Sequence, residues 1–314
     1  MRRLRMLLAL GVSGLLVAGC GLLPVTAALM PRVTTTPTWV PAAQVAPTAL
    51  RLLASAHHSV RLDMYELGNP SLMAALIADH ARGLSVEVIL DATETQSQGA
   101  GKVLADAGVP VHWMHVPHGI DHVKLLVVDG TETLVGGVNW GATSSDTTDG
   151  DVLMRDPVAA TYFRAAWAGH PSTTPEAAGA WSGPALLPAL TRLLTTATGP
   201  VHMAANYLTD WPIQDALAAD AARGLPVDVV LNRSAYGSPA AATWLTAHGV
   251  TVRWAPASPY LHAKQLWVGS TLWIGSMNFS YHGVALNQEL SVTVPVPAGY
   301  AAWWTALWTR STPA

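Results

Sequence analysis

The residues of this sequence whose types could do chemistry occur in two matching phrases, 140 residues apart. The first is His122-Val123-Lys124, followed by an apolar stretch and then Gly136-Gly137-Val138-Asn139. The second is His262-Ala263-Lys264, followed by an apolar stretch and then Gly275-Ser276-Met277-Asn278. A single His-x-Lys on a strand is usually a solvated edge. Two copies in the same context indicate one site assembled from two related halves.

Within each phrase the His and the Lys stand two positions apart, so on a strand both side chains project from the same face. Such a pair suits phosphodiester cleavage. A neutral imidazole can attack phosphorus and form a phosphohistidine, while a protonated one donates to the leaving alkoxide, because histidine titrates near neutral pH. The ammonium groups of Lys124 and Lys264 offset the charge on the non-bridging oxygens. This scheme requires no metal or other cofactor.

Amides and carboxylates complete the predicted site. Asn139 and Asn278 can donate hydrogen bonds to the non-bridging phosphate oxygens. Asp151 and Glu289 follow the histidines of their phrases by 29 and 27 residues, and each stands at the start of an apolar strand. A carboxylate bonded to Nδ1 of a histidine fixes its tautomer and leaves Nε2 facing the substrate. We therefore predict that Asp151 and Glu289 orient the two histidines.

The duplication extends well beyond the two phrases. Each half contains, in the same order, an amphipathic helix ended by Gly, an alternating strand, a Gly-containing loop, a short helix and a further strand. The predicted segments are 72–84, 86–91, 103–107 and 109–113 in one half and 213–225, 227–232, 243–248 and 250–254 in the other. This order predicts an α/β fold of two pseudo-symmetric repeats, each a β-sheet flanked by helices, with the active site at the interface between them.

The N-terminus predicts an exported lipoprotein. Three arginines precede an apolar run, 6–17, which is shorter than the roughly 20 residues that span a bilayer and has the length of a signal h-region. The run ends in Leu16-Val17-Ala18-Gly19-Cys20, which is similar to a bacterial lipobox, where cleavage precedes a cysteine that becomes lipidated. The alternatives are an ordinary secreted protein or a start-site artefact with an incidental cysteine. Cys20 is the only cysteine, so an internal disulfide is excluded.

These features divide the chain into five predicted segments. A Pro/Thr-rich stretch after Cys20 is typical of an extended tether, because proline fixes φ and removes backbone donors. A stretch rich in Pro, Gly, Ser and Ala separates the halves. The segments are a lipoprotein signal peptide (1–19), the lipidated cysteine and tether (20–47), the first repeat (48–170), a linker (171–184) and the second repeat (185–314).

The amino-acid composition limits which kinds of binding partner are expected. The chain has 314 residues, of which 50% are hydrophobic and only 12% charged, with a net charge of -3 and an isoelectric point near 6.4. A duplex-binding protein usually carries a basic stripe, so nucleic acid is disfavoured, although a few cations could still line a groove. Nine of the thirteen tryptophans follow position 180, including Trp303, Trp304 and Trp308. They indicate either packing of the terminal helix or a membrane-contacting rim.

The two phrases resemble the signature of the phospholipase D superfamily, His-x-Lys-x4-Asp, which occurs twice per active site. His122, Lys124 and Asp129 match the whole first signature, whereas the second has Gly269 in place of its Asp. The resemblance covers roughly Pro47 to Arg310. It implies that His122 is the nucleophile, that His262 is the general acid and that Asp129 supports the site. The tyrosyl-DNA phosphodiesterase branch also lacks the second Asp, so we expect Gly269 to weaken rigidity more than chemistry.

The resemblance and the N-terminus together favour an enzyme that hydrolyses phosphatidyl groups of membrane phospholipids or transfers them to an alcohol. It would be anchored through Cys20 to the outer face of a bacterial membrane. A cardiolipin-synthase-like transferase, a nuclease of the same superfamily and a non-catalytic relative are the alternatives. No obligate oligomer is needed, because one chain supplies both half-sites. Three histidines near His122, at positions 112, 115 and 118, do not favour zinc, since they bring no cysteine and no helical i, i+4 pair.

Overall fold

Short apolar segments bounded by Gly, Pro and Asn form the strands of two sheets in the computed structural model, which describes residues 36–170 and 179–314. The predicted signal peptide, Cys20 and residues 171–178 of the predicted linker lie outside the described residues. Within 36–170 the elements are β1 (Thr38–Pro41), α1 (Ala42–Ala54), β2 (Ser59–Met64), α2 (Pro70–Ala81), β3 (Ser85–Asp91), α3 (Thr95–Asp106), β4 (Val111–Met114), β5 (Lys124–Val128), β6 (Glu132–Gly136), β7 (Gly150–Arg155) and α4 (Val158–Trp167).

The second repeat follows the same order and adds one short strand at its end. Its elements are β8 (Ala180–Ser182), α5 (Leu186–Thr195), β9 (Val201–Ala205), α6 (Trp211–Ala222), β10 (Val227–Leu231), α7 (Ser238–Ala247), β11 (Thr251–Trp254), β12 (Lys264–Val268), β13 (Thr271–Gly275), β14 (Leu290–Pro295), α8 (Tyr300–Arg310) and β15 (Thr312–Pro313). No helix within the described ranges is long and apolar enough to cross a membrane.

The strand orders confirm the predicted duplication. The first sheet runs β1-β7-β6-β5-β2-β3-β4, and the second runs β15-β11-β10-β9-β12-β13-β14-β8. Taken from the β8 edge, the second sheet repeats the first and ends with the extra strand β15. In both sheets the three strands that precede the His-x-Lys phrase are mutually parallel, and the strand that carries the Lys pairs antiparallel with the first of them.

Three apolar clusters hold these layers together. One packs α1, α2 and α3 on the outer face of the first sheet, and a second packs α5, α6 and α7 on the outer face of the second sheet. The third joins the two repeats, combining Val123, Leu125 and Val127 with residues of β12, β13, β14 and α8. Val123, Leu125 and Val127, which alternate with His122 and Lys124 along the chain, therefore pack the two repeats against each other.

The predicted tether is too long at its C-terminal end. Residues 38–41 form β1, which pairs antiparallel with β7 and places Trp39 opposite Val152. Helix α1 then includes Pro47, whose cost of about 3 kcal/mol inside a helix is offset by complete burial of Ala49 and Leu53. The predicted linker is also too long, because residues 180–182 form β8 at the edge of the second sheet.

The short helices predicted at 103–107 and 243–248 begin earlier than expected. Helix α3 starts at Thr95 and α7 at Ser238. The Glu94 carboxylate accepts the backbone N–H of Ser97 at 2.7 Å, and this cap starts the helix ahead of a glycine-containing stretch that sequence patterns assign to a loop.

Asp129 supports a turn at the far end of β5 rather than the chemistry. Its carboxylate accepts the backbone N–H groups of His57, His58 and Ser59 at 2.8–3.3 Å. Partial burial raises the pKa of Asp129, but these hydrogen bonds outweigh it and lower that pKa overall. In the second repeat the position of Ser59 is Pro200, which has no N–H to donate. The second repeat therefore has fewer backbone N–H groups at this turn that would need an aspartate at position 269.

We expect Asp129→Gly to lower the free energy of unfolding by about 1–3 kcal/mol, because charge-assisted hydrogen bonds to three backbone N–H groups are lost. Glycine is the suitable replacement, since Asp129 has φ +50° and an alanine would add backbone strain. The stabilisation should be present above the unfolded pKa of about 3.9 and vanish as pH falls through the lowered native pKa. Urea denaturation at pH 7 measures the change. The reverse substitution, Gly269→Asp, should give no comparable gain, and a gain of equal size would contradict this account.

Candidate active site

The two His-x-Lys phrases meet along the seam between the repeats. Each phrase forms a short parallel bridge with the segment that precedes β14 or β7 of the other repeat. Four backbone hydrogen bonds join them: His122 N to Gln288 O (2.9 Å), Gln288 N to Ile120 O (2.9 Å), His262 N to Thr148 O (3.1 Å) and Thr148 N to Tyr260 O (2.9 Å). Glu289 directly follows Gln288, and Asp149 directly follows Thr148. The seam therefore brings a carboxylate of one repeat to a histidine of the other.

Each histidine is oriented by the opposite repeat. His122 Nδ1 lies 3.0 Å from both carboxylate oxygens of Glu289. His262 Nδ1 lies 3.0 Å from Oδ2 of Asp149. Both carboxylates are buried, and Asp149 also accepts the Gln265 amide at 3.2 Å. Donation from Nδ1 leaves Nε2 of each ring for chemistry, which is the arrangement of an oriented catalytic histidine.

The prediction that Asp151 orients a histidine is wrong. Asp151 accepts the backbone N–H of Val138 at 3.1 Å, within its own repeat, and Asp149 takes the orienting position. Equal spacing would have found it, because Asp149 follows His122 by 27 residues, as Glu289 follows His262. The counterpart of Asp151 is Ser291, since these two residues pair with the matching glycines Gly136 and Gly275.

The glycines of the motif permit this close packing. A Cβ added at Gly137 would lie 2.5 Å from Oδ2 of Asp149, the atom that binds His262. One added at Gly136 would overlap the Asp151 carboxylate, and one at Gly275 would overlap the backbone at Leu290. The glycines of each Gly-x-x-Asn pattern are therefore needed because β6 lies close to β7 and β13 lies close to β14, and each of β7 and β14 directly follows an orienting carboxylate.

The two lysines are buried beside the rings. Lys124 Nζ donates to the carbonyl of His122 at 2.5 Å and lies 5.0 Å from the centroid of the Tyr65 ring. Lys264 Nζ donates to the carbonyl of His262 and lies 3.0 Å from each nitrogen of that ring. An ammonium can contact Nε2 in this way only when the imidazole is neutral and offers a lone pair.

Burial sets the protonation of these groups. It lowers the pKa of Lys124 to about 7, with Glu289 opposing the shift, and the pKa of Lys264 to about 8, with Asp149 opposing it. Burial and the charge of Lys264 lower the pKa of His262 to about 4. Burial also lowers the pKa of His122, against the pull of Glu289. At neutral pH both imidazoles are therefore neutral, Lys264 is mostly protonated, and Lys124 is poised to gain charge when an anion binds.

Asn139 lies at the site, with one difference from expectation. Asn139 Nδ2 donates to Glu66 at 2.7 Å, so one N–H of the amide is held by a carboxylate. The Oδ1 atoms of Asn139 and Asn278 are buried without a hydrogen-bond partner. Glu66, Tyr260 and His262 line a polar pocket with Asn139. Glu66 gave no sequence signal, because its counterpart after β9 is Tyr207 and the repeat comparison therefore passes over it.

Sequence reasoning also missed a buried acid pair beside Lys124. Asp63 and Asp121 are inaccessible to solvent, and burial raises the pKa of Asp63 to about 7 and that of Asp121 well above its ordinary value. Their counterparts in the second repeat are Ala204 and Leu261. The pair makes the surroundings of the two half-sites unequal.

Among residues 36–170 and 179–314, no group of three or more His, Cys, Asp and Glu is arranged to hold a metal ion. His112, one of the histidines close to His122 in the sequence, lies 5.7 Å from the Trp167 ring between ring centroids. The tryptophans of α8 pack inward, since Trp304 is buried and lies 5.9 Å from Trp308 in a stacked arrangement. Packing therefore accounts for this part of the C-terminal tryptophan cluster.

Comparison with known proteins agrees with this architecture. The family model "Cardiolipin synthase, PLD-like domain" matches residues 49–166 and 190–307, once in each repeat. The chain therefore belongs to the phospholipase D superfamily, as its motifs predict. The mitochondrial cardiolipin hydrolases of Xenopus tropicalis and Xenopus laevis are 35% and 33% identical over 108 and 105 residues, which are 34% and 33% of this chain. The chain spans about half the length of these relatives, 51% and 50%.

Two solved structures share the fold along most of the chain. Phosphatidylserine synthase from Haemophilus influenzae Rd KW20 superposes with a TM-score of 0.65 at 12% identity, covering 91% of this chain and 89% of that one. Polyphosphate kinase from Porphyromonas gingivalis gives 0.67 at 13% identity, covering 96% of this chain and 50% of that one. At these identities the likeness concerns the fold alone.

Substitution of the two neighbouring aspartates separates their roles. We expect Asp149→Asn to lower kcat/KM on a chromogenic phosphodiester by about 10²–10⁴-fold, because His262 loses the charge that fixes its tautomer. Asp151→Asn should cost at most about tenfold, because burial raises the pKa of Asp151 well above its usual range and a neutral amide still accepts from Val138. Equal losses in the two variants would contradict the assignment of Asp149.

The buried lysines predict that anion binding depends on pH. Sulfate stays a dianion from pH 6 to pH 9, so its affinity should fall by about tenfold or more over this range as Lys124 and Lys264 lose protons. Isothermal titration calorimetry measures the affinity. Lys264→Arg should flatten the profile, because a guanidinium keeps its charge. An affinity that is equal at pH 6 and pH 9 in the wild-type chain would rule out this role of the lysines.

Proposed function

We propose that this chain is a phospholipase D-type phosphodiesterase that hydrolyses phosphatidyl groups or transfers them to an alcohol through a covalent phosphohistidine, without a metal. The observation that carries the proposal is the exchange of carboxylates across the seam, which gives each His-Lys pair an oriented imidazole. The match to a cardiolipin synthase-type domain and to cardiolipin hydrolases supports a phospholipid substrate. The match covers only about half the length of each cardiolipin hydrolase, so the phospholipid substrate is itself part of the proposal.

In the first step, Nε2 of His122 attacks phosphorus, and the bond from phosphorus to the leaving oxygen breaks. His262 Nε2 gives its proton to that oxygen. His262 takes up this proton when substrate binds, because burial and, after it, the charge of Lys264 hold its pKa low in the free site, and the phosphodiester anion offsets that charge. In the second step, His262 takes a proton from water or an alcohol, whose oxygen attacks phosphorus as the P–N bond breaks. Lys124, Lys264, Asn139 and Asn278 stabilise the negative oxygens in both steps.

We also propose that the chain is exported and anchored to a membrane by lipid. The lipobox-like segment ending in Cys20 supports export and anchoring to the outer face of a bacterial membrane. Such an anchor would hold the site near phospholipid. Metabolic labelling of the expressed full chain with a radioactive fatty acid tests this, with Cys20→Ser as the matched control. Label that persists in the control, or that is absent from the wild type, would refute lipidation at Cys20.

One assay tests the reaction. The full chain in detergent is incubated, with chelator present, with phosphatidylcholine, phosphatidylglycerol, cardiolipin or single-stranded DNA, beside His122→Asn. We expect headgroup release or exchange that His122→Asn lacks, and a phosphatidyl adduct on the His122 peptide by mass spectrometry. Cleavage of DNA alone would assign a nuclease, and inactivity on every substrate would favour a non-catalytic relative.

A further inference from the structure

The described residues expose few large apolar side chains, and most of these occur around one half of the site. Six are solvent-exposed, and four of the six are aromatic residues of the second repeat: Trp211 (57% exposed), Tyr236 (87%), Tyr281 (61%) and Tyr260 (46%). Exposed aromatic residues that cluster mark an interaction surface more often than scattered ones do. We call these four residues the aromatic rim.

The rim residues are distant in sequence but share one edge of the second sheet. Strands β9, β10 and β13 run parallel to one another, and Trp211, Tyr236 and Tyr281 each lie within six residues of the end of one of them. Tyr260 lies four residues before β12, which starts at that same edge. The loops touch, because Thr209 N donates to Phe279 O at 2.8 Å and a Cβ at Gly237 would lie 2.6 Å from the Thr209 side chain.

This edge is also the edge of the site. Lys264 is the first residue of β12, and the Tyr260 ring lies 5.9 Å from the His262 ring between centroids. Tyr260 also lines the polar pocket with His262. A phosphodiester bound at His262 would therefore lie next to the aromatic rim.

Residues 36–170 of the first repeat form no such rim. The counterparts of the four residues are Pro70, Thr95, Ile120 and either Gly141 or Ala142. The pseudo-two-fold symmetry that places the catalytic groups is thus broken at the surface, and the apolar character is confined to one side. Trp211 contacts Trp244 at 5.3 Å between ring centroids, but it and the other three side chains keep about half or more of their surface exposed, so packing accounts for only part of this difference.

We propose that the aromatic rim inserts into the headgroup region of a phospholipid bilayer and presents its lipids to the site. Tryptophan and tyrosine favour headgroup depth, where an amphipathic ring has both apolar and polar neighbours. The scissile phosphodiester of a phospholipid lies at that same depth. A protein partner that covered the rim would also cover the pocket entrance beside Tyr260. The substrate class rests on the function proposed above.

The charge around the site favours a bilayer over single-stranded nucleic acid, which also stacks on exposed aromatic rings. Nucleic-acid grooves pair such rings with several cations. In the rim loops, 206–211, 232–237 and 276–283, Arg233 is the only Lys or Arg, and its guanidinium lies 5.7 Å from the centroid of the Trp254 ring. The facing loops of the first repeat carry Glu66, Glu94 and Asp146 instead.

Fluorescence tests insertion independently of turnover. The full chain carrying His122→Asn is reconstituted into phosphatidylcholine vesicles brominated near the headgroup, and quenching of tryptophan emission is measured. We expect Trp211→Phe to remove most of the quenching. Trp113→Phe is the matched control, because Trp113 is an exposed tryptophan outside the rim, at 36%, and it should leave quenching unchanged. Quenching that survives Trp211→Phe would overturn the proposal.

Activity supplies the second arm. Joint replacement of Trp211, Tyr236 and Tyr281 by Ser should lower kcat/KM on phosphatidylcholine vesicles by about tenfold or more, since interfacial binding scales with the apolar area inserted. Activity on monomeric dibutyryl-phosphatidylcholine should not change, and Val103→Ser serves as the exposed apolar control. A loss confined to cleavage of single-stranded DNA would overturn the proposal. Quenching that depends on Trp211 without phospholipid turnover would support the rim and refute the proposed function.

Discussion

The structure depends on the carboxylates exchanged between the repeats. Glu289 holds His122 and Asp149 holds His262, so neither histidine is oriented by its own half of the chain. The same seam carries the four backbone hydrogen bonds and the shared apolar cluster, which means that the site is complete only when the two repeats pack together. An isolated repeat would contain a His and a Lys but no orienting carboxylate. This constraint explains why the site needs both halves.

Burial gives these groups their reactivity. Two lysines and two histidines lie together with two carboxylates in a region largely closed to water, and each basic group is lowered in pKa by burial. At neutral pH Lys264 therefore carries most of its charge, whereas Lys124 is only partly protonated and gains charge when a phosphodiester binds. Electrostatic stabilisation is then strongest when the anion is present, because the low dielectric magnifies each interaction. The aromatic rim makes the two repeats differ at the solvent-exposed surface next to the site.

Particular residues show how far sequence could predict the site. The His-x-Lys phrases, the Asn positions and Glu289 follow from type, spacing and repetition, and the α/β duplication is confirmed. Asp149 was missed in favour of Asp151, because both precede or begin an apolar strand and only the contact across the seam tells them apart. Glu66 and the Asp63–Asp121 pair were missed because the second repeat has no matching residue. Comparison of the two repeats identifies functional residues that both halves share, but it cannot identify residues that occur in only one half.

The sequence by itself determined the family, the α/β repeats and the pairs of His and Lys, because these depend on local periodicity and on a motif written twice. Tertiary structure alone decided which carboxylate meets which histidine, how deeply the lysines are buried and which loops share an edge with the site. Those properties depend on contacts between residues more than 100 positions apart, such as His122 with Glu289. Local patterns carry no information about such distances until the two repeats pack.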